Sequence, residues 1–163
     1  MEENKIKDAI YKSIDELYQY DSLLLDANYN IHERTVCHRL AIYLEKNIGF
    51  EYNVDVEYNR MRTAYGVDDV GEIVGKAINY IDTDEGSSYV YTDIIIHKRD
   101  ENINILIIEV KMFWKNRRKE IDYNKINQYI NQLNYKFGVY IELHENKNDN
   151  LIDFWPFQKN ANS

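Results

Sequence analysis

The sequence predicts a mixed α/β domain with a central sheet flanked by helices. Segments with the apolar spacing of a helix alternate along the chain with segments in which apolar side chains recur at every second position or run continuously. The 163 residues include one proline and six glycines, so no Pro- or Ser-rich linker marks a domain boundary. We therefore expect one domain over residues 1–163.

Two helices are expected before the first strand. Residues 5–25 have a rough helical spacing and lead into a turn at 26–30, which makes residues 1–30 an N-terminal helical extension. Residues 31–48 form the clearest helix, because Val36, Leu40 and Leu44 recur on one face and Gly49 stands at the position of a C-terminal cap.

Strand patterns follow at residues 50–58, 89–97 and 103–113. Between the first two, residues 61–88 are interpreted as an insertion with a short helical pattern at 70–81 and a polar exit at 82–88. A charged stretch leads into a helix that ends near residue 135, and strands at 137–143 and 151–157 complete the domain, the last near a sheet edge because Pro156 lacks an N–H. From the second helix onward, the predicted order is helix, three strands, helix, two strands.

Charge and cysteine content restrict the class of function. The chain has 28 acidic and 20 basic side chains, so its net charge of −8 argues against a protein that coats nucleic acid through its overall field. The single cysteine, Cys37, excludes an internal disulfide framework and favours a reducing compartment. The N-terminus shows no signal-peptide pattern and no apolar run is long enough for a membrane span, so we expect a cytoplasmic protein without a membrane partner.

Two acids stand on strands that should otherwise be apolar. Glu109 and Lys111 lie two apart near the end of a buried strand and so project from one face, and Asp93 lies in the preceding strand. If these strands form a hairpin that turns about Glu101, cross-strand partners have residue numbers that sum to 202, and Asp93 faces Glu109.

Two carboxylates forced together in an apolar sheet repel each other, and a divalent cation resolves that repulsion. Oxygen ligands with open coordination positions favour Mg²⁺ or Mn²⁺, and Lys111 on the same face could hold a water or stabilise charge on a phosphoryl oxygen. Glu33 extends the inward stripe of the second helix and is a third candidate acid. A structural ion-pair network is the alternative interpretation of these residues.

At these positions the sequence resembles the PD-(D/E)xK, or restriction-endonuclease-like, nuclease superfamily, whose signature is an acid on one strand and an acid, any residue and a lysine on the next. Here the motif is Asp93 followed by Glu109-Val110-Lys111, and the predicted element order over residues 31–157 is similar to the αβββαβ core of that superfamily. Further stretches, among them Asp122 to Ile126, resemble a group of uncharacterised small proteins within it.

The resemblance implies hydrolysis of nucleic-acid phosphodiesters, with DNA as the expected substrate and Mg²⁺ or Mn²⁺ as cofactor. Asp93 and Glu109 would be metal ligands, the Val110 carbonyl and Glu33 further ligands, and Lys111 would position or activate the nucleophilic water. The residue before Asp93 is threonine where the family pattern has proline, and the helix after Lys111 offers Gln128 and Gln132 where related nucleases have Gln-x-x-x-Tyr.

Basic and polar residues near these motifs are candidates for contact with the substrate. They are Arg39, Arg60, Lys115, Lys125 and Gln128. For Arg39 and Arg60 the sequence favours pairing with surface acids over binding of a phosphate. Lys115 belongs to a basic cluster that suits a solvated loop and a phosphate-binding rim equally well.

The competing function class is a catalytically inactive domain of the same fold that acts as a protein-interaction or dimerisation module, with a homodimer as the expected assembly. The acidic surface, the 15 tyrosines and the insertion suit this alternative. No histidine has the spacing of a zinc protease and no glycine-rich phosphate loop occurs, so those classes are disfavoured.

Overall fold

The computed structural model describes residues 3–57, 78–82, 86–99, 101, 103–115 and 118–155, and for residues 78–82 and 86–90 it describes the backbone pairing alone. Arg60, residues 61–77 and 83–85 of the predicted insertion, and Pro156 lie outside the described residues.

Helices and strands alternate along the described chain. Two helices come first, α1 (Glu3–Asp21) and α2 (Glu33–Ile48), joined by 3-10 turns at Ser22–Leu25 and Ala27–Tyr29. The strands that follow are β1 (Asn53–Val56), β2 (Ile78–Asp82), β3 (Gly86–Val90), β4 (Ile94–Lys98) and β5 (Ile103–Met112). Helix α3 (Lys119–Leu133), strand β6 (Phe137–Leu143), a 3-10 turn at Lys147–Asp149 and strand β7 (Leu151–Trp155) complete the order.

The central sheet has five described strands in the order β1-β4-β5-β6-β7. Only the β5–β6 pair among them is parallel, and α3 provides the crossover connection that a parallel pair needs. Strands β2 and β3 form a separate antiparallel hairpin. The predicted mixed α/β class with a central sheet flanked by helices is therefore confirmed.

Two details of the prediction were wrong. The run at 89–97 is not one strand, because β3 ends at Val90 in the hairpin and β4 begins at Ile94 in the central sheet. Residues 78–81 of the predicted helical pattern lie in strand β2, and of the predicted polar exit Asp82 ends β2 and residues 86–88 belong to β3. The predicted C-terminal cap is correct, since Gly49 follows α2 with a φ of 101°, a conformation that favours glycine.

The sheet is buried on both faces. Leu106, Ile108 and Val110 of β5 pack in a core shared with α1 and α2, whereas Ile107 packs with α3 on the opposite face. Because side chains alternate along a strand, Glu109 and Lys111 belong to the α3 side of the sheet.

An ionic cluster fastens β1 to β4. Asp55 of β1 accepts a hydrogen bond from the buried His97 ring at 2.7 Å and pairs with Arg99. Burial alone would raise the pKa of Asp55, but these two partners outweigh it and lower that pKa to about 2. The edge strand is thus held partly by charge.

Among the helices of the described chain, none has both the length and the apolar character required to cross a bilayer.

Candidate functional site

The register of β4 on β5 brings Asp93 to Glu109. Ile94 pairs with Ile108, and the next two pairs also sum to 202, so one further step places Asp93 opposite Glu109. Asp93 itself lies in the bend just before β4, and its Oδ2 accepts a hydrogen bond from the Val110 N–H at 2.8 Å. The two acids therefore sit next to each other at one end of the strand pair, as the sequence predicts.

Thr92 fixes the bend that carries Asp93. Its hydroxyl donates to the Ile108 carbonyl at 3.0 Å, and its N–H donates to the Tyr129 hydroxyl at 3.0 Å, so both β5 and α3 hold the residue. Thr92 is fully buried. A proline in this place would lack the N–H and could not donate to Tyr129.

Glu109 is a buried carboxylate with a single described donor. It has no exposed surface, and its Oε2 accepts from Lys125 Nζ at 2.8 Å, while Oε1 has no hydrogen-bond partner among the described residues. Burial and then the neighbouring Asp93 raise the pKa of Glu109 to about 8, although Lys125 acts in the opposite direction. Asp93 therefore lies close enough to Glu109 to disfavour its ionised form.

Lys111 lies at the centre of a group of acids. Its Nζ donates to Glu33 Oε1 and to the Val110 carbonyl, both at 3.0 Å, and lies 3.7 Å from Asp93 Oδ2. Asp122 Oδ1 lies 3.9 Å away on another side. Burial would lower the pKa of Lys111, but the surrounding carboxylates outweigh it and raise the pKa, so the ammonium form is favoured.

Glu33 reaches this cluster from the other face of the sheet. It is the first residue of α2, and its side chain is 24% exposed at the border of a groove of about 540 Å³. The groove is also lined by Glu57, whose N–H donates to the Asp93 carbonyl at 3.1 Å. This groove gives solvent access to the side of the cluster formed by Glu33.

The candidate substrate-contact residues are distributed unevenly. Lys125 points at Glu109 and is part of the cluster itself. Lys115 donates to the Asn30 side chain at 2.9 Å, in the connection that precedes α2. Gln128 accepts a hydrogen bond from Gln132 on the surface of α3.

Arg39 has no described contact with the acids around Lys111 and pairs with a different acid. Its guanidinium donates to Asp21 at 2.8 Å and to the Tyr43 hydroxyl at 2.8 Å, which ties α2 to the end of α1. No described contact connects Arg39 with Glu33 or Lys111, so the geometry gives a phosphate-binding role for Arg39 no support.

Asp122 is a site residue that the sequence argument did not single out for a role. It lies in the first turn of α3, is 4% exposed and approaches the ammonium of Lys111. A signal was present, because Asp122 and Lys125 stand one helical turn before Ile126 and Tyr129, which belong to the predicted inward stripe of this helix.

The carboxylates around Lys111 and Lys125 meet some of the requirements of a divalent-cation site. Four carboxyl groups, those of Glu33, Asp93, Glu109 and Asp122, surround two ammonium groups, so the cluster has two excess negative charges when all four are ionised. Glu109 retains an oxygen without a described partner, and Asp93 uses only Oδ2 in its described contacts.

Within the described chain, however, no three His, Cys, Asp or Glu side chains are grouped closely enough to hold a metal by themselves. Ligation would therefore rest on two carboxylates, with waters or substrate completing the shell, which is a mode that Mg²⁺ accepts.

Comparison with protein-family models, with curated proteins and with solved structures finds no match to this chain.

Proposed function

We propose that this chain is a divalent-metal-dependent phosphodiesterase that hydrolyses nucleic acid, with DNA as the expected substrate. The observation that carries the proposal is the placement of Asp93, just before β4, beside Glu109 in the second half of β5, with the Lys111 ammonium 3.7 Å from Asp93. Two adjacent carboxylates and a lysine on one strand pair are the constellation expected from the PD-(D/E)xK resemblance.

The topology supports the same assignment. Helix α2, strands β1, β4 and β5, helix α3 and strand β6 follow one another in the αβββαβ order of a restriction-endonuclease-like core. The β2–β3 hairpin stands between the first and second of these strands as an insertion. We propose that the domain has this core.

In the proposed reaction, Asp93 and Glu109 would hold Mg²⁺ or Mn²⁺, with the Val110 carbonyl as a further ligand. When bound, such an ion supplies Lewis-acid stabilisation and lowers the pKa of water. Lys111 places a positive charge beside Asp93, where it can orient a water and stabilise charge that develops on a phosphoryl oxygen. Glu33 accepts a hydrogen bond from that ammonium and so fixes its direction.

The second candidate is an inactive domain of the same fold that serves as an interaction module. The specific observation in its favour is that Lys125 and Lys111 already pair with Glu109 and Glu33 within the fold. In such a protein the cluster would be a structural ion-pair network.

Metal-dependent thermal stability separates these two functions. We expect Mn²⁺ or Mg²⁺ to stabilise the wild-type protein by about 2.7 kcal/mol at a hundredfold excess over the dissociation constant. Asp93→Asn should remove the effect. Asp15→Asn is the matched control, because Asp15 is an exposed acid whose described partner is the surface residue Lys147.

The same metals are then tested with plasmid, single-stranded and branched DNA and with RNA, beside Lys111→Met. Cleavage that requires Lys111 supports the nuclease. An unchanged melting curve at millimolar metal, together with no cleavage, would favour the interaction module.

A further inference from the structure

Helix α3 presents to β5 a pair of charges that complements the pair on the strand. Strand β5 carries Glu109 and Lys111, and α3 carries Lys125 and Asp122 in the matching order, each facing the side chain of opposite charge. Asp122 and Lys125 are three residues apart and therefore lie on the same side of the helix. One turn of α3 thus contacts both motif residues of β5.

We propose that Asp122 is a positioning residue for Lys111, an inference that rests on the proposed function. A lysine side chain is flexible and has three donors, so its ammonium has no fixed place unless several acceptors surround it. Glu33 and the Val110 carbonyl hold two of the donors at 3.0 Å. Asp122, at 3.9 Å, attracts the ammonium from the side of α3. Lys111 is consequently held between α2 and α3 instead of collapsing onto Glu33 alone.

The burial of Asp122 supports this role. A carboxylate that is 4% exposed is costly to bury unless a positive charge or hydrogen bonds compensate it. Lys111, which is itself 4% exposed, is a cation within salt-bridge distance of Asp122.

A purely structural explanation also exists, and the chain contains a control for it. An acid in the first turn of a helix interacts favourably with the helix dipole. Glu120 shares that turn with Asp122 but is exposed to solvent. If Asp122 serves only the helix, Glu120→Gln and Asp122→Asn should have similar consequences.

The test measures how fast Lys111 reacts with an amine-acylating reagent in the metal-free, full-length protein, by mass spectrometry of the modified peptide. In Asp122→Asn the ammonium of Lys111 loses the acceptor on the side of α3 and is less restrained, so we expect Lys111 to be acylated on the order of tenfold faster. Glu33→Gln should also increase it, and Glu120→Gln should leave it at the wild-type rate. An unchanged rate in a folded Asp122→Asn protein would overturn the proposal.

Two further measurements keep the inference testable. If Asp122→Asn fails to fold, a double-mutant cycle decides: the destabilisation caused by Asp122→Ala should be smaller in a Lys111→Met background than in wild type, and equal destabilisation in the two backgrounds would refute the coupling. Where cleavage is observed, Asp122→Asn should lower kcat with little change in KM and should add nothing to Lys111→Met. If the wild-type protein cleaves no nucleic acid, the proposed function fails, whereas the labelling result still decides whether Asp122 positions Lys111.

Discussion

Replacement of Lys125 by methionine tests whether the Lys125 ammonium stabilises the ionised form of the buried Glu109. In the folded protein Glu109 is fully buried, and Lys125 Nζ at 2.8 Å is its described hydrogen-bond donor. Removal of one partner from a buried pair costs about 3–5 kcal/mol when the other charge stays uncompensated. For a domain of this size that corresponds to a fall in Tm of about 10 °C.

The destabilisation caused by Lys125→Met should be larger at high pH than at low pH. The pKa of Glu109 is raised to about 8, so below that pH its carboxyl accepts a proton and no longer needs the ammonium of Lys125. Above pH 8 the carboxylate is charged, and loss of Lys125 raises the pKa of Glu109 further. We therefore expect Lys125→Met to destabilise the protein by about 1 kcal/mol at pH 6 and by roughly 1.4 kcal/mol more at pH 9, because one unit above its pKa the wild-type protein gains about that much from ionising Glu109.

The assay is urea unfolding in a chelator at the two pH values, followed by the same measurement with Mn²⁺. Glu109→Gln introduced beside Lys125→Met should recover most of the loss at pH 9, since an amide carries no charge. Mn²⁺ should stabilise Lys125→Met more than wild type, because the ammonium no longer competes for Glu109. Lys46→Met is the control: its pair with Glu16 is exposed, and such pairs contribute about 1 kcal/mol or less. Equal stability of Lys125→Met and wild type at pH 9 would refute the reasoning.

Three further outcomes are expected. Asp55→Asn should cost about 2 kcal/mol at neutral pH, and the difference from wild type should vanish between pH 4 and pH 2 in acid unfolding, because a lowered carboxyl pKa stabilises the fold only above that range. Gly138→Ala should cost about 1–3 kcal/mol in urea unfolding, since a Cβ there would lie 2.3 Å from Ile126 Cγ2; Ile126→Leu, which lacks that methyl, should restore part of the loss. If cleavage is found, Lys111→Met should retain Mn²⁺-induced stabilisation and cleave about a hundredfold more slowly, and a parental rate would remove this lysine from the mechanism.

The register of the two site strands was predictable because a short connection centred on Glu101 fixes which residues face each other near Asp93 and Glu109. The apolar pattern alone would not fix it, since both strands are buried on both faces. The pairing of β4 with β5 nearer the connecting turn was not predictable in the same way. A bulge between Ile96 and His97 changes the residue sum from 202 to 201, and local backbone irregularities of this kind leave no mark on hydrophobic alternation.

The errors around the insertion have a similar physical origin. A short run with isoleucines three apart, such as Ile78 and Ile81, fits a helical period as well as a strand. The run from Tyr89 to His97 contains no glycine or proline to mark a break, although β3 and β4 belong to different sheets. Which strand a segment pairs with depends on tertiary contacts that a local pattern does not contain.

The polar partners of the site were the hardest part to predict, and α3 shows why. Hydrophobic periodicity identifies Ile126 and Tyr129 as inward residues and treats a neighbouring aspartate or lysine as solvent-exposed by default. That default fails where the strand beneath the helix carries buried charges of its own, because each buried charge then requires an opposite charge on the element packed above it. Once Glu109 and Lys111 are assigned to the inner face, an acid and a lysine one turn before the apolar stripe of α3 become the expected partners. The same reasoning, applied from strand to helix, would have found Asp122 and Lys125 in the sequence.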